Sequence, residues 1–154
     1  MPKIDVTRAP ESKGTRYPDP FRAPCLNREW RRLGEAAGLS HFGVNLVLLP
    51  PGTWSSQRHW HTHEDEFVYV LEGELVLVTD AGEERLVPGD CAGFKGGVAD
   101  GHCLQNRSAK NARFLVVGSR RDEDGAHYPD IDLVAKPGRY GGTATFTHKD
   151  GTPY

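Results

Sequence analysis

From residue 42 to residue 119 the chain repeats one pattern, in which short runs rich in Val, Leu, Phe and Tyr alternate with turn residues at intervals of about ten. Runs of this length are too short for helices that bury a face, but they suit the strands of an antiparallel sandwich or barrel. Eight strands are predicted over 42–49, 55–61, 66–71, 74–79, 83–87, 91–94, 102–106 and 113–119. Pro50-Pro51-Gly52, Glu72-Gly73, Asp80-Ala81-Gly82, Pro88-Gly89-Asp90 and Lys95-Gly96-Gly97 separate them with turn chemistry. Asp80-Ala81-Gly82 reads as a three-residue hairpin loop, because glycine takes the positive φ such a loop needs. Only 30–38 has helical character, and Gly34 and Gly38 limit it to one turn. The expected fold is therefore all-β and closed.

The segments outside this rhythm differ in composition. Five of the eleven prolines fall in the first 24 residues, so 1–29 is expected to be an extended arm, 30–119 the barrel and 120–154 a C-terminal arm packed over it. With 154 residues there is room for one domain, and glycine plus proline at roughly a fifth of the chain fits a turn-rich fold rather than disorder. A net charge of −2 gives no basic footprint for nucleic acid. The longest apolar run, 67–71, is five residues, far short of a membrane span or a signal core. Cys25, Cys91 and Cys103 are odd in number and contain no C-x-x-C pair, which argues against a disulfide framework. A soluble cytoplasmic protein is expected, with Cys91 and Cys103 as small packed residues.

The chemistry concentrates at Arg58-His59-Trp60-His61-Thr62-His63-Glu64-Asp65-Glu66. Residues two apart on a strand share a face, so His59 and His61 converge while Trp60 points away. Glu66 starts the next strand and can return to the same layer, and His102 follows later. Two imidazoles with a carboxylate and a third histidine suit Fe(II), Mn(II), Ni(II), Zn(II) or Cu(II). His63 keeps the two-residue phase but lies where the chain must turn, which leaves it as an alternative to His59. Arg58, Lys95, Gln57 and Gln105 sit near the strand ends, where they face solvent or an anionic ligand, and His41, His127 and His148 read as surface histidines. Trp54, Trp60, Phe67 and Tyr69 read as core or subunit contacts, not as a stacking platform.

These residues resemble the two motifs of the cupins. The first motif, glycine followed by H-x-H, glutamate and glycine, falls on Gly52, His59, His61, Glu66 and Gly73, with one extra residue between Gly52 and His59. The second falls on Gly89, Gly97, His102 and Asn106, with Lys95 in place of the usual proline and four residues instead of two between Gly97 and His102. The texture of 65–74 and the closing Lys-Asp-Gly-Thr-Pro-Tyr look like the small bacterial single-domain members. The resemblance implies a double-stranded β-helix, or jelly roll, with His59, His61, Glu66 and His102 as ligands to a divalent transition metal (Fe, Mn, Ni or Zn), leaving two adjacent positions open. No organic cofactor is expected.

That family resemblance implies a metal-dependent enzyme acting on a small oxygen-rich or carboxylated molecule, either a dioxygenase or an isomerase or lyase of the sugar-phosphate type. The other reading is a non-catalytic sugar- or metabolite-binding or regulatory protein, and the blandest is a structural dimer. No catalytic residue is assigned; isomerisation needs a base, and His63, Glu64 and Asp65 form the acid-base cluster next to the expected ligands. The run 67–71 is apolar on both faces, so a homodimer or an arm is expected to cover one of them. The expected partners are thus a small molecule and a second copy, with no nucleic acid and no membrane.

Overall fold

A computed structural model describes residues 3–142 and 145–154; of the two expected arms, positions 1–2 and 143–144 lie outside the described residues. Thirteen strands form among the described residues: β1 (Glu11–Lys13), β2 (Glu29–Arg32), β3 (Phe42–Leu49), β4 (Trp60–His61), β5 (Glu66–Glu72), β6 (Leu75–Thr79), β7 (Gly82–Leu86), β8 (Cys91–Phe94), β9 (Cys103–Gln105), β10 (Ala112–Ser119), β11 (Ala126–Tyr128), β12 (Leu133–Ala135) and β13 (Phe146–Thr147). The helical character is limited to a single turn as expected, α1 (Leu33–Ala36), which contains Gly34 and ends before Gly38. One layer is a six-stranded sheet in the order β1-β2-β3-β10-β5-β8. The other combines β7-β6-β9 with β13-β12-β11-β4, and isolated bridges at Trp54–Gln105 and His59–His102 join the two parts. All pairings are antiparallel, and the fold is an all-β jelly roll.

Alternation decides which side chains enter the core. Along β5 Val68 and Val70 are buried, while Phe67, Tyr69 and Leu71 face outward. Val68 and Val70 pack with Leu49, Leu75, Leu77 and Phe114 between the layers. Each such side chain contributes about 1.5–3 kcal/mol through removal from water. Gly73 closes the turn after β5 with φ +77, and a Cβ there would run into the backbone of Asn111 and Ala112. Asn106 is buried and donates Nδ2 to the carbonyls of Leu49 and Lys110, both at 2.7 Å, which pins the β9–β10 connection.

Several segments depart from the expected boundaries. Of 55–61, the residues Trp60–His61 alone form a strand, because the hydroxyl of Ser55 takes up the Leu104 N–H and the Ser-Ser-Gln-Arg run bends. The stretch 29–32 is a strand, not part of a helical turn, since Trp30 pairs with Val47 and packs against the core. Thr79 pairs with Gly82, so the hairpin loop holds Asp80 and Ala81 alone, with Gly82 at φ +125 opening β7. Cys91 is exposed instead of packed inside, while Cys25 and Cys103 are buried; all three are free thiols.

The terminal segments add structure of their own. β1 forms the edge of the large sheet, and β11, β12 and β13 extend β4. A second apolar cluster of Tyr17, Cys25, Ala126, Tyr128 and Leu133 joins residues from both ends of the chain. Arg58 ties the C-terminal segment to the barrel through Asp130, at 2.7 and 2.6 Å, and also pairs with Asp80. No helix among the described residues is long and apolar enough to cross a membrane.

Candidate metal centre

The backbone brings the histidines together before any side chain matters. His59 and His102 exchange backbone hydrogen bonds at 3.1 and 2.8 Å, so they stand directly opposite on antiparallel chains and share a face. His61, two residues on, shares that face. Glu66 opens β5 on the facing layer. Donor atoms of His59, His61 and Glu66 consequently lie within 4.8 Å of one another. His102 borders this group, with Nε2 3.5 Å from Glu66 Oε1 and its ring 5.0 Å from that of His59.

Hydrogen bonds set the tautomers. His59 Nδ1 lies 2.9 Å from the Gln57 carbonyl, and His61 Nδ1 lies 2.7 Å from Asp124 Oδ2. Both partners can only accept, so in the neutral rings both Nδ1 atoms carry the proton and both Nε2 atoms are bare. Those two Nε2 atoms face each other at 3.2 Å. Two lone pairs at that distance repel unless a cation lies between them. Two nitrogens bonded to one ion at about 2.1 Å and at right angles would be about 3 Å apart. His102 leaves both ring nitrogens buried without a hydrogen-bond partner among the described residues. On the donor set and its unmet nitrogens, the residues fit a divalent transition metal.

The electrostatics agree. Burial, then the neighbouring His61 and His102 rings, pushes His59 down to about 3, so its ring stays neutral and ready to donate. Burial would raise Glu66, but the His102, His59 and His61 imidazoles outweigh it and hold the carboxyl at about 2. Asp124 is likewise held at about 2: its burial is overcome by the His61 ring and by the backbone N–H groups of His63 and Glu64. Tyr128 stacks on His59 with centroids 5.6 Å apart, and Phe94 lies flat on His102 at 3.6 Å. A cavity of about 940 Å³ opens onto His59, His61, Glu66, Asp124 and Tyr128.

The neighbouring residues sort clearly. His63 is exposed, with Nδ1 on its neighbour Thr62, and belongs to no donor cluster among the described residues. Asp65 is also exposed, whereas Glu64 turns inward and is 4% exposed. Glu64 accepts from Arg121 N, Tyr140 Oη and Arg139. A second close trio, His61, Glu64 and Asp124, is therefore occupied by its own hydrogen bonds. Arg58 is committed to its aspartates and Gln57 to the Phe21 carbonyl, so neither is available to an anionic ligand. Trp60 stacks on His127 at 4.6 Å, and His148 pairs with Asp132 at 2.8 Å. Of the expected acid-base cluster His63, Glu64 and Asp65, Glu64 alone turns into the site, whereas Asp124 carries no signal along the chain, because it lies in the charged run 120–124, more than fifty positions from His61.

Fold and site together define a β-barrel protein with a preorganised cluster of nitrogen and oxygen donors in its mouth. Residues 45–118 match the family described as Cupin domain. The chain is 48% identical to a sugar phosphate isomerase of the cupin superfamily from Silicibacter pomeroyi, covering 99% of this chain and 96% of that one with a TM-score of 0.94. A protein from Acidithiobacillus ferrooxidans, provisionally assigned the same activity, is 30% identical over 83% of this chain and 80% of that one, with a TM-score of 0.74. A polyketide cyclase from Streptomyces resistomycificus is 26% identical over 77% and 79%, with a TM-score of 0.62. No curated protein matches the chain. The chain belongs to the cupin superfamily.

Proposed function

We propose that this cupin is a metal-dependent isomerase of a small phosphorylated sugar, with His59, His61, Glu66 and His102 holding a divalent transition metal. The observation that carries the metal assignment is the pair of bare Nε2 atoms facing each other at 3.2 Å. The isomerase assignment draws on the Silicibacter pomeroyi relative, which is similar along nearly its whole length. A bound divalent ion supplies Lewis acidity to the carbonyl and hydroxyl oxygens of such a substrate. Gln57 and Asp124 keep two of the imidazoles in the donating tautomer, and the rings of Tyr128 and Phe94 wall the donors.

Elemental analysis of tag-free protein beside a His61→Ala control tests the centre. Near-stoichiometric Mn, Ni or Zn that is lost in the variant is the expected result, followed by aldose–ketose interconversion across a panel of sugar phosphates. Iron with oxygen uptake would replace the isomerase by a dioxygenase, and a metal-free protein that still binds sugars would replace it by a binding role. The protein is further read as a cytoplasmic homodimer. Phe67, Tyr69 and Leu71, each 40–45% exposed on one strand, support a covered face. Sedimentation as a monomer at micromolar concentration would remove the dimer.

A further inference from the structure

We infer that the cavity beside the metal centre carries a phosphate subsite built from Arg28, Arg16 and Lys136, at the junction of the N- and C-terminal segments. The inference rests on the reading of a phosphorylated substrate, and it concerns residues to which no role has yet been given. The chain as a whole is slightly acidic, with 19 cationic and 21 acidic side chains. Around the cavity the balance inverts. Lys13, Arg16, Arg28, Arg32, Lys136 and Arg139 line it, against the carboxylates of Glu66 and Asp124. Glu66 belongs to the donor cluster and Asp124 is bound to His61.

Three of the six cations are already neutralised: Lys13 by Glu29 at 2.8 Å, Arg32 by Glu35 at 2.8 Å, and Arg139 by Glu64. The other three, Arg16, Arg28 and Lys136, form no ion pair among the described residues. Arg28 is the most telling of them. It is half-buried, donates Nε to the Gly14 carbonyl at 2.9 Å and Nη1 to the Ser55 carbonyl, and sits 4.6 Å from the Trp30 ring centroid and 5.7 Å from that of Tyr17. Carbonyls and rings fix the guanidinium plane but bring no negative charge, and Nη2 has no hydrogen-bond partner among the described residues. A preoriented guanidinium with donors to spare suits a phosphate oxyanion.

Arg16 follows Gly14 on the same loop, and Lys136 follows β12, its backbone N–H held by Thr145 O at 2.9 Å. Both residues are exposed and their side chains make no hydrogen bond or ion pair among the described residues, so they add unpaired charge to a fixed anchor. Three positive charges with no ion-pair partner among the described residues favour a phosphomonoester dianion over a singly charged carboxylate. A sugar phosphate seated this way presents its hydroxyl-bearing end to the donors of the barrel and its phosphate to the terminal segments.

Calorimetric titration with inorganic phosphate tests the subsite, using the protein as purified, the same protein stripped by chelator, and the variant Arg16→Gln/Lys136→Gln. The expected result is equal affinity before and after stripping, and a loss of about tenfold or more in the double variant. Arg28→Gln, checked by circular dichroism and melting, should lose phosphate binding altogether; because it also touches the fold, the exposed pair carries the decision. No phosphate binding by the unaltered protein, unchanged affinity in the double variant, or binding that disappears on stripping would each overturn the subsite. Phosphate binding as expected with no turnover of any sugar phosphate would remove the isomerase and leave the subsite. Turnover with unchanged KM in the double variant would do the reverse.

Discussion

The barrel wall and the terminal segments are held together by different forces. In the wall, Val68, Val70, Leu75 and Phe114 are less than 2% exposed, and strand pairing orders them. The terminal segments bury a smaller cluster around Tyr17, Cys25 and Leu133 and attach largely by polar contacts: Arg58 to Asp130, Gln57 to the Phe21 carbonyl, Glu64 to Arg139 and Tyr140, and Asp124 to His61. The wall supplies the candidate donors. The segments supply the buffering carboxylate behind one donor and most of the positive charge around the cavity. A scaffold of apolar burial thus carries a separate layer of polar contacts around the cavity, the kind of division by which one fold hosts many chemistries.

The sharpest way to break this contrast is in the wall. Phe114→Ala should destabilise by about 3–5 kcal/mol, read as a lowered urea midpoint, because the cavity left between two sheets cannot collapse. A loss below about 1 kcal/mol would mean that the wall does not carry the stability. Behind the donors the effect should move from folding to binding. Asp124→Asn keeps the shape but removes the anionic acceptor of His61 Nδ1, and metal affinity by competition with a chelator should fall about 10–100-fold while the barrel stays folded. Unchanged affinity would show that the His61 tautomer needs no help from the terminal segment.

At the attachment points the changes should be smaller still. Arg58→Gln removes two ion pairs whose acids are more than half exposed, and the expected loss is about 1 kcal/mol in denaturant unfolding. The same pairing sets a pH dependence. Arg58 holds Asp130 below its ordinary 3.8, so the folded state is stabilised at pH values above 3.8 and loses that contribution as pH falls further and Asp130 protonates. The stability gap between the unaltered protein and Arg58→Gln should therefore narrow in acid. A gap that stays constant down to pH 2 would assign the effect to packing of the arginine stem.

What was legible along the chain follows the same division. The runs 42–49 and 91–94 emerge with the expected bounds, and 66–71 and 113–119 each differ by one residue at one end, since alternating apolar residues mark a strand locally. The run 55–61 shrinks to two residues because the Ser55 hydroxyl takes up the Leu104 N–H of β9, a partner nearly fifty positions away. The H-x-H spacing brings His59 and His61 onto one face, and Glu66 and His102 arrive beside them. Cys91 follows a proline-glycine-aspartate turn like a core residue, yet it falls on the outward phase of β8, paired with Tyr69.

By itself, the sequence determined the all-β fold, the alternation of buried and exposed faces along its main strands and the placing of two histidines on one face, because each is encoded by the two-residue period of an extended chain. The tertiary structure alone decided that Asp124 sits behind His61, that Glu64 is buried against Arg139 and Tyr140, and that Arg16, Arg28 and Lys136 line one cavity with no ion-pair partner among the described residues. Those contacts join residues many tens of positions apart, and charge carries no period by which a sequence could announce where it will meet its partner.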